Sequence, residues 1–255
     1  MKAVRIVKPE QLELIEVEKP VINEKDNVLI RMTAAGICGS DVGIYHGTNA
    51  AATYPRIIGH EMVGVVDQVG PNVQNLKVGD RVIVNQVTSC GECYPCRKGR
   101  GNVCDHLAVR GVHIDGGYRE FIAVPEADCY ILPDELSDVD AVMIEPTTIA
   151  IQSCTRAQLD QDDMLLLYGA GALGSSILRI ARQLCSHIIV ADIMDDKLAE
   201  AKAAGAKYTI NTQKEDFLER CWSTPTAGAP RSPLTPPASR TLCSTCSKPP
   251  ATPAV

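Results

Sequence analysis

Apolar and polar positions follow two different rules along this chain. Up to about residue 135 the apolar residues come in short runs that alternate with polar ones or are rich in β-branched side chains. KAVRIV (2–7), QLELIEVEK (11–19), NVLIRMTAAG (27–36), GHEMVGVVDQVG (59–70), DRVIVN (80–85) and REFIAVP (119–125) are separated by Gly, Pro, Asn or Asp. Period-two runs bounded by turn residues predict strands, and several in succession predict an all-β, barrel-like unit. After Pro133 the period changes. DELSDVDAVMIEPTTIAIQSC (134–154) has helical spacing, with Pro146 marking a helix boundary or kink. Next come an apolar strand (MLLLYG), a helix (ALGSSILRIARQLC), a strand (HIIVAD), a helix (DDKLAEAKAAG) and a strand (YTIN). Strand and helix in alternation predict the first half of a doubly wound parallel sheet.

Neither rule holds at the end. Cys221 to Val255 is 35 residues without Asp, Glu or Ile, in a chain with 31 acidic residues, and it contains eight of the 16 prolines. That segment is expected to be unstructured, because it cannot bury enough apolar surface to offset ordering. Its Ala/Pro/Ser/Thr/Arg/Cys bias is also what GC-rich codons give when read out of frame.

Composition excludes several classes of function. Apolar residues make up 45% and charged residues 22%, as in a soluble globular protein, and the net charge is −6. No basic run could neutralise several phosphates, so nucleic acid is not an expected partner. The longest apolar runs are strand-sized, so no membrane span is expected. The charged start MKAVRIVKPE lacks the apolar centre of a secretory signal, and a cytoplasmic location is the expectation.

The chemistry lies in three constellations. Four of the 11 cysteines, Cys90, Cys93, Cys96 and Cys104, have the spacing C-x2-C-x2-C-x7-C. Thiols packed this tightly can converge on one zinc as a closed, structural site. A zinc-ribbon nucleic-acid module also uses four cysteines, but in two separated pairs and with basic surroundings. The second set is Cys38, His60, Glu61 and Glu145: a thiolate, an imidazole and carboxylates suited to a catalytic zinc with one position open. In the third, Gly169, Gly171 and Gly174 form G-x-G-x-x-G after an apolar strand and at a helix start, with Asp192 ending the next strand. This context defines a dinucleotide fingerprint, with Leu173 within the turn. Pyrophosphate would lie at the helix N-terminus, and Asp192 would take the ribose hydroxyls, favouring NAD over NADP.

GICGSD around Cys38, GHE at 59–61, the cysteine lobe at 90–104, GVHIDGGYREF at 111–121, IEP at 144–146 and GAGALG at 169–174 occur in this order. Together they make the chain resemble the zinc-containing medium-chain alcohol/polyol dehydrogenases up to about residue 218. GVH-x-DGG with IEP is most similar to the sorbitol, L-threonine and sugar-acid branch, including starvation-sensing and L-galactonate (L-gulonate) 5-dehydrogenases. The resemblance implies a GroES-like β-barrel catalytic domain with two zinc sites over 1–150. It also implies the first half of a Rossmann NAD-binding domain over 151–218, followed by a foreign tail over 219–255. It further implies two zinc ions and NAD, a polyol or sugar-acid substrate, and a homo-oligomer for full-length members. Cys38, His60 and Glu145 would be zinc ligands, with Glu61 bound directly or through the zinc water. Ser40 would carry the proton away. Relatives often continue that relay with a histidine five residues after the first zinc cysteine. Gly43 stands there, leaving His46 or water as the candidates. The competing expectation is an inactive zinc-stapled fragment of such an enzyme.

Overall fold

The structure, a computed structural model, describes residues 1–22, 28–223 and 239–243. It divides into two compact units, Met1–Ile144 and Glu145–Val255.

In the first unit β1 (Lys2–Lys8) and β2 (Gln11–Glu16) form an antiparallel hairpin. Next come β3 (Val28–Gly36), α1 (Gly39–Tyr45), β4 (Arg56–Ile57), β5 (Glu61–Val69) and β6 (Arg81–Val84). A small lobe carries β7 (Val87–Thr88), α2 (Tyr94–Arg97) and β8 (Ala108–Val109). The unit ends with β9 (Phe121–Val124), β10 (Cys129–Ile131) and α3 (Asp138–Ala141). The main sheet has the order β10-β6-β5-β3-β9 with antiparallel neighbours, and β4 extends the hairpin through β1.

The period-two pattern has a direct physical outcome. Val28, Ile30, Val82, Val84, Ile122 and Val124 point to one face and pack with Met62 and Val66. Val63 and Ile83, one residue out of step, point to the other face and meet Leu132, Ala141 and Val142. Each such side chain removed from water contributes roughly 1.5–3 kcal/mol. Within the described residues the strands do not close into a hydrogen-bonded ring. β9 and β10 are the two edges of an open sheet, so the first unit is barrel-like in strand content rather than in closure.

The second unit opens with α4 (Ile144–Ala157), whose Pro146 falls in the first turn, where the missing N–H is no loss. It continues with β11 (Met164–Tyr168), α5 (Ala172–Ala181), β12 (His187–Asp192), α6 (Asp195–Ala203), β13 (Tyr208–Asn211) and α7 (Phe217–Ser223). β11 is apolar throughout because both its faces are buried. Leu165 and Leu167 pack with α4, α5 and α6, while Met164, Leu166 and Tyr168 belong to the cluster that holds Phe217.

The tail departs from expectation in two places. α7 carries regular structure through Ser223, and β14 (Ser239–Cys243) pairs in parallel with β11, completing a sheet of order β13-β12-β11-β14. The expectation of a wholly unstructured 219–255 segment is thus corrected at these residues. Proline excludes a strand only where it removes a needed N–H, and 238–248 contains none. The rest of the predicted tail, 224–238 and 244–255, lies outside the described residues.

Candidate metal centres and dinucleotide loop

Cys38 caps the start of α1, and His60 and Glu61 stand where β5 begins. β3 and β5 are paired so that Gly36 lies opposite Glu61, which brings the Cys38 loop beside the two later residues. The ligand atoms of Cys38, His60 and Glu61 all lie within 4.8 Å of one another. A side chain at Gly36 would collide with the Glu61 carboxylate, so this glycine makes the space that Glu61 fills. Gly59 has φ +94°, and a Cβ there would strike the Tyr118 ring, so both its backbone conformation and its packing require glycine.

One member of the constellation was not identified from sequence. Asp41 is 2% exposed, and its carboxylate accepts from the Cys38 N–H (3.0 Å) and the Gly59 N–H (3.3 Å). Its Oδ1 lies 3.5 Å from His60 Nδ1, beyond a normal hydrogen bond, and that nitrogen is buried without a hydrogen-bond partner. A lone Asp three residues after a cysteine reads as an ordinary helix-start residue, which is why its second role stays hidden.

Electrostatics tests whether this set suits a cation. Burial opposes charge on His60, yet the Asp41 carboxylate and the Cys38 sulfur lift its pKa to about 10. Cys38 is drawn below the usual thiol range, first by its hydrogen bond to His60, against the effect of burial. Burial raises the Glu61 carboxyl, with His60 opposing. A pocket that holds a proton this firmly and favours a thiolate is a pocket for positive charge. Thiolate, imidazole and carboxylate are ligands zinc accepts, so the residues fit the ion.

Ser40 Oγ lies 3.4 Å from His60 Nε2, so the serine belongs to the cluster. His46 is engaged elsewhere, its Nδ1 2.6 Å from the exposed Glu10 carboxylate. Beside Gly43, a side chain would meet Thr48 Oγ1. Glu145 belongs to the second unit, in the first turn of α4.

The cysteine lobe gives a sharper test. The Cys90–Cys104, Cys93–Cys104 and Cys90–Cys96 sulfur distances are 3.5, 3.7 and 4.0 Å. A tetrahedron with ~2.3 Å zinc–sulfur bonds has edges of about 3.8 Å. Backbone N–H groups of Cys90, Cys93 and His106 point at these sulfurs. The N–H groups of Asp105 and Cys96 draw the Cys93 thiol down to about 6, while burial and neighbouring thiols push Cys96 up to about 12. Four sulfurs this close cannot all become thiolates without a cation among them.

In the second unit Gly169 has φ +97° and Gly171 caps α5, while Gly174 is buried in the packed face of that helix. A Cβ at Gly171 would meet nothing within 4 Å, and its φ of −67° suits any residue. Nothing in the protein requires glycine there, and the open space is what a close-approaching phosphate would use. Leu173 instead packs partly against the core. Asp192 accepts from the N–H of Ala170 (2.7 Å) and of Met194 (2.9 Å), tying the glycine turn to the end of β12.

Residues 24–134 match the alcohol dehydrogenase GroES-like domain, and over most of its length the chain is similar to zinc-type alcohol dehydrogenases. It is 45% identical over 221 residues to the starvation-sensing protein RspB of Escherichia coli K12, covering 86% of this chain and 65% of that protein. It is 34% identical over 224 residues to the sorbitol dehydrogenase of Bacillus subtilis, covering 86% of this chain and 63% of that protein. The crystal structure of the RspB alcohol dehydrogenase of Escherichia coli CFT073, complexed with NADH, superposes with a TM-score of 0.79 at 44% identity, covering 86% of this chain and 66% of that one. The chain therefore spans 63–65% of the length of these curated relatives.

Proposed function

We propose that this chain carries the machinery of an NAD-using dehydrogenase that oxidises a secondary alcohol of a polyol or sugar acid. The observation that carries the reading is the convergence of Cys38, His60 and Glu61 in a pocket that favours positive charge, with Ser40 beside them. Cys38 and His60 would hold a zinc ion, with Glu61 a direct ligand or a partner of its water. Cys90, Cys93, Cys96 and Cys104 would hold a second, structural zinc. When bound, zinc supplies Lewis-acid stabilisation of developing negative charge on the substrate oxygen, and NAD supplies the hydride acceptor.

The protein's own residues do the rest. Ser40 Oγ accepts the hydroxyl proton and passes it outward. Asp41 holds Cys38 and His60 in register. The Gly169–Gly174 turn admits the dinucleotide, and Asp192 selects NAD by repelling a 2′-phosphate. The named activities of the relatives, including sorbitol dehydrogenase, support a small polyhydroxy substrate. Loss of the Ser40 hydroxyl should slow turnover by roughly 10²–10⁴-fold, the usual worth of one proton-transfer group. Absorbance of NADH formed from sorbitol, L-threonine and L-gulonate tests the reading, and no NADH from any secondary alcohol would count against it.

A second reading is a zinc-stapled chain without turnover. The abrupt change in composition at Cys221 favours it, since a strand and tail of foreign sequence would stand where the second half of the sheet is built. We propose that this segment is out-of-frame sequence. The same absorbance assay, run beside a chain translated in the alternative frame from codon 221, separates the readings. Activity confined to the reframed chain supports the second.

A further inference from the structure

We propose that Tyr118 is a positioning residue for the Cys38–His60 centre, acting as a clamp on the loop that carries Cys38. The inference rests on the zinc reading above. Its hydroxyl lies 2.6 Å from the Gly36 carbonyl and 3.2 Å from Asp41 Oδ2. These two acceptors bracket Cys38 in sequence, so one O–H ties together both ends of a six-residue loop whose centre is the candidate ligand. Asp41 Oδ2 also accepts from the Cys38 N–H, so the hydroxyl and the ligand residue share one carboxylate oxygen.

The mount is rigid. The Tyr118 N–H donates to Ile58 (3.0 Å), and its carbonyl accepts from Val4 (2.8 Å). Its ring lies against Gly59 and packs with the cluster of Ile6, Ile44, Ile58 and Val112. The ring thus presses on the residue before His60, while the hydroxyl holds the residues on either side of Cys38. Both candidate ligands are referenced to one aromatic side chain, whose hydroxyl is engaged with Gly36 and Asp41. Partners of metal ligands typically change metal affinity by roughly 10–100-fold when removed.

The test is zinc release from the full chain into a chromogenic chelator, comparing wild type with Tyr118→Phe, which keeps the ring and removes the hydroxyl. The wild type should release zinc in two phases. In Tyr118→Phe one phase should accelerate by roughly 10–100-fold and the four-thiolate phase should be unchanged. Asp41→Asn should accelerate the same phase, and adding Tyr118→Phe to it should bring little further change, because both act through one carboxylate. Unchanged release from Tyr118→Phe would overturn the clamp while leaving the zinc reading intact. So would equal acceleration of both phases, or an unfolded variant, either of which would make Tyr118 a general packing residue. A wild type that releases zinc only from the cysteine lobe would overturn the clamp and the catalytic-zinc reading together.

Discussion

At the residue scale, Cys38 and Asp41 illustrate two kinds of legibility. Cys38, His60 and Glu61 can be read from sequence because thiol, imidazole and carboxylate are metal ligands flanked by glycines that let backbone crowd together. Asp41 and Tyr118 cannot, because their contributions are hydrogen bonds to the ligand loop, and nothing in a single Asp or Tyr announces its partners. His60→Ala should abolish turnover while circular dichroism shows the fold largely kept, and more than about a tenth of wild-type activity would argue against its role. Asp192→Ala should weaken NAD use and relieve discrimination against NADP. It also strands the Ala170 and Met194 N–H groups, so a loss of about 1–3 kcal/mol is expected in denaturant unfolding. Unaltered cofactor preference would remove Asp192 from the cofactor site.

At the element scale, strands were legible wherever one face is buried. In Val28–Ile30 and Val82–Val84 every residue is buried, successive side chains facing opposite sides of the sheet, and the unbroken apolar run of β11 is likewise a strand buried on both sides. The lobe from β7 to β8 has no such period. Its short elements are held by their four cysteines and by turns, so its cysteine spacing is legible and its secondary structure is not. β14 was illegible for a different reason: five residues in proline-rich sequence carry no pattern, and pairing with β11 alone defines them. Cys96→Ser should release the lobe, since structural zinc supplies roughly 10–16 kcal/mol of binding energy. Limited proteolysis should then cut first between 89 and 107. Protection equal to wild type would mean that the lobe stands without its metal.

At the scale of the whole molecule, two units with separate cores carry different shares of the chemistry, and the chain spans 63–65% of these curated relatives. No helix among the described residues is long and apolar enough to cross a membrane. Removing residues 224–255 takes β14 from the sheet and exposes the β11 edge, which should raise light scattering on warming without changing the zinc held by the first unit. Scattering equal to the parent chain would mean that β14 does not protect that edge. The claim on which the rest depends is that the first unit holds two metals of different kinds, one closed among four thiolates and one at Cys38, His60 and a carboxylate. Metal content of the purified, folded chain tests it most directly. Two zinc ions per chain are expected in the wild type and one in His60→Ala, whereas one or none in folded wild type would contradict the presence of two metal sites.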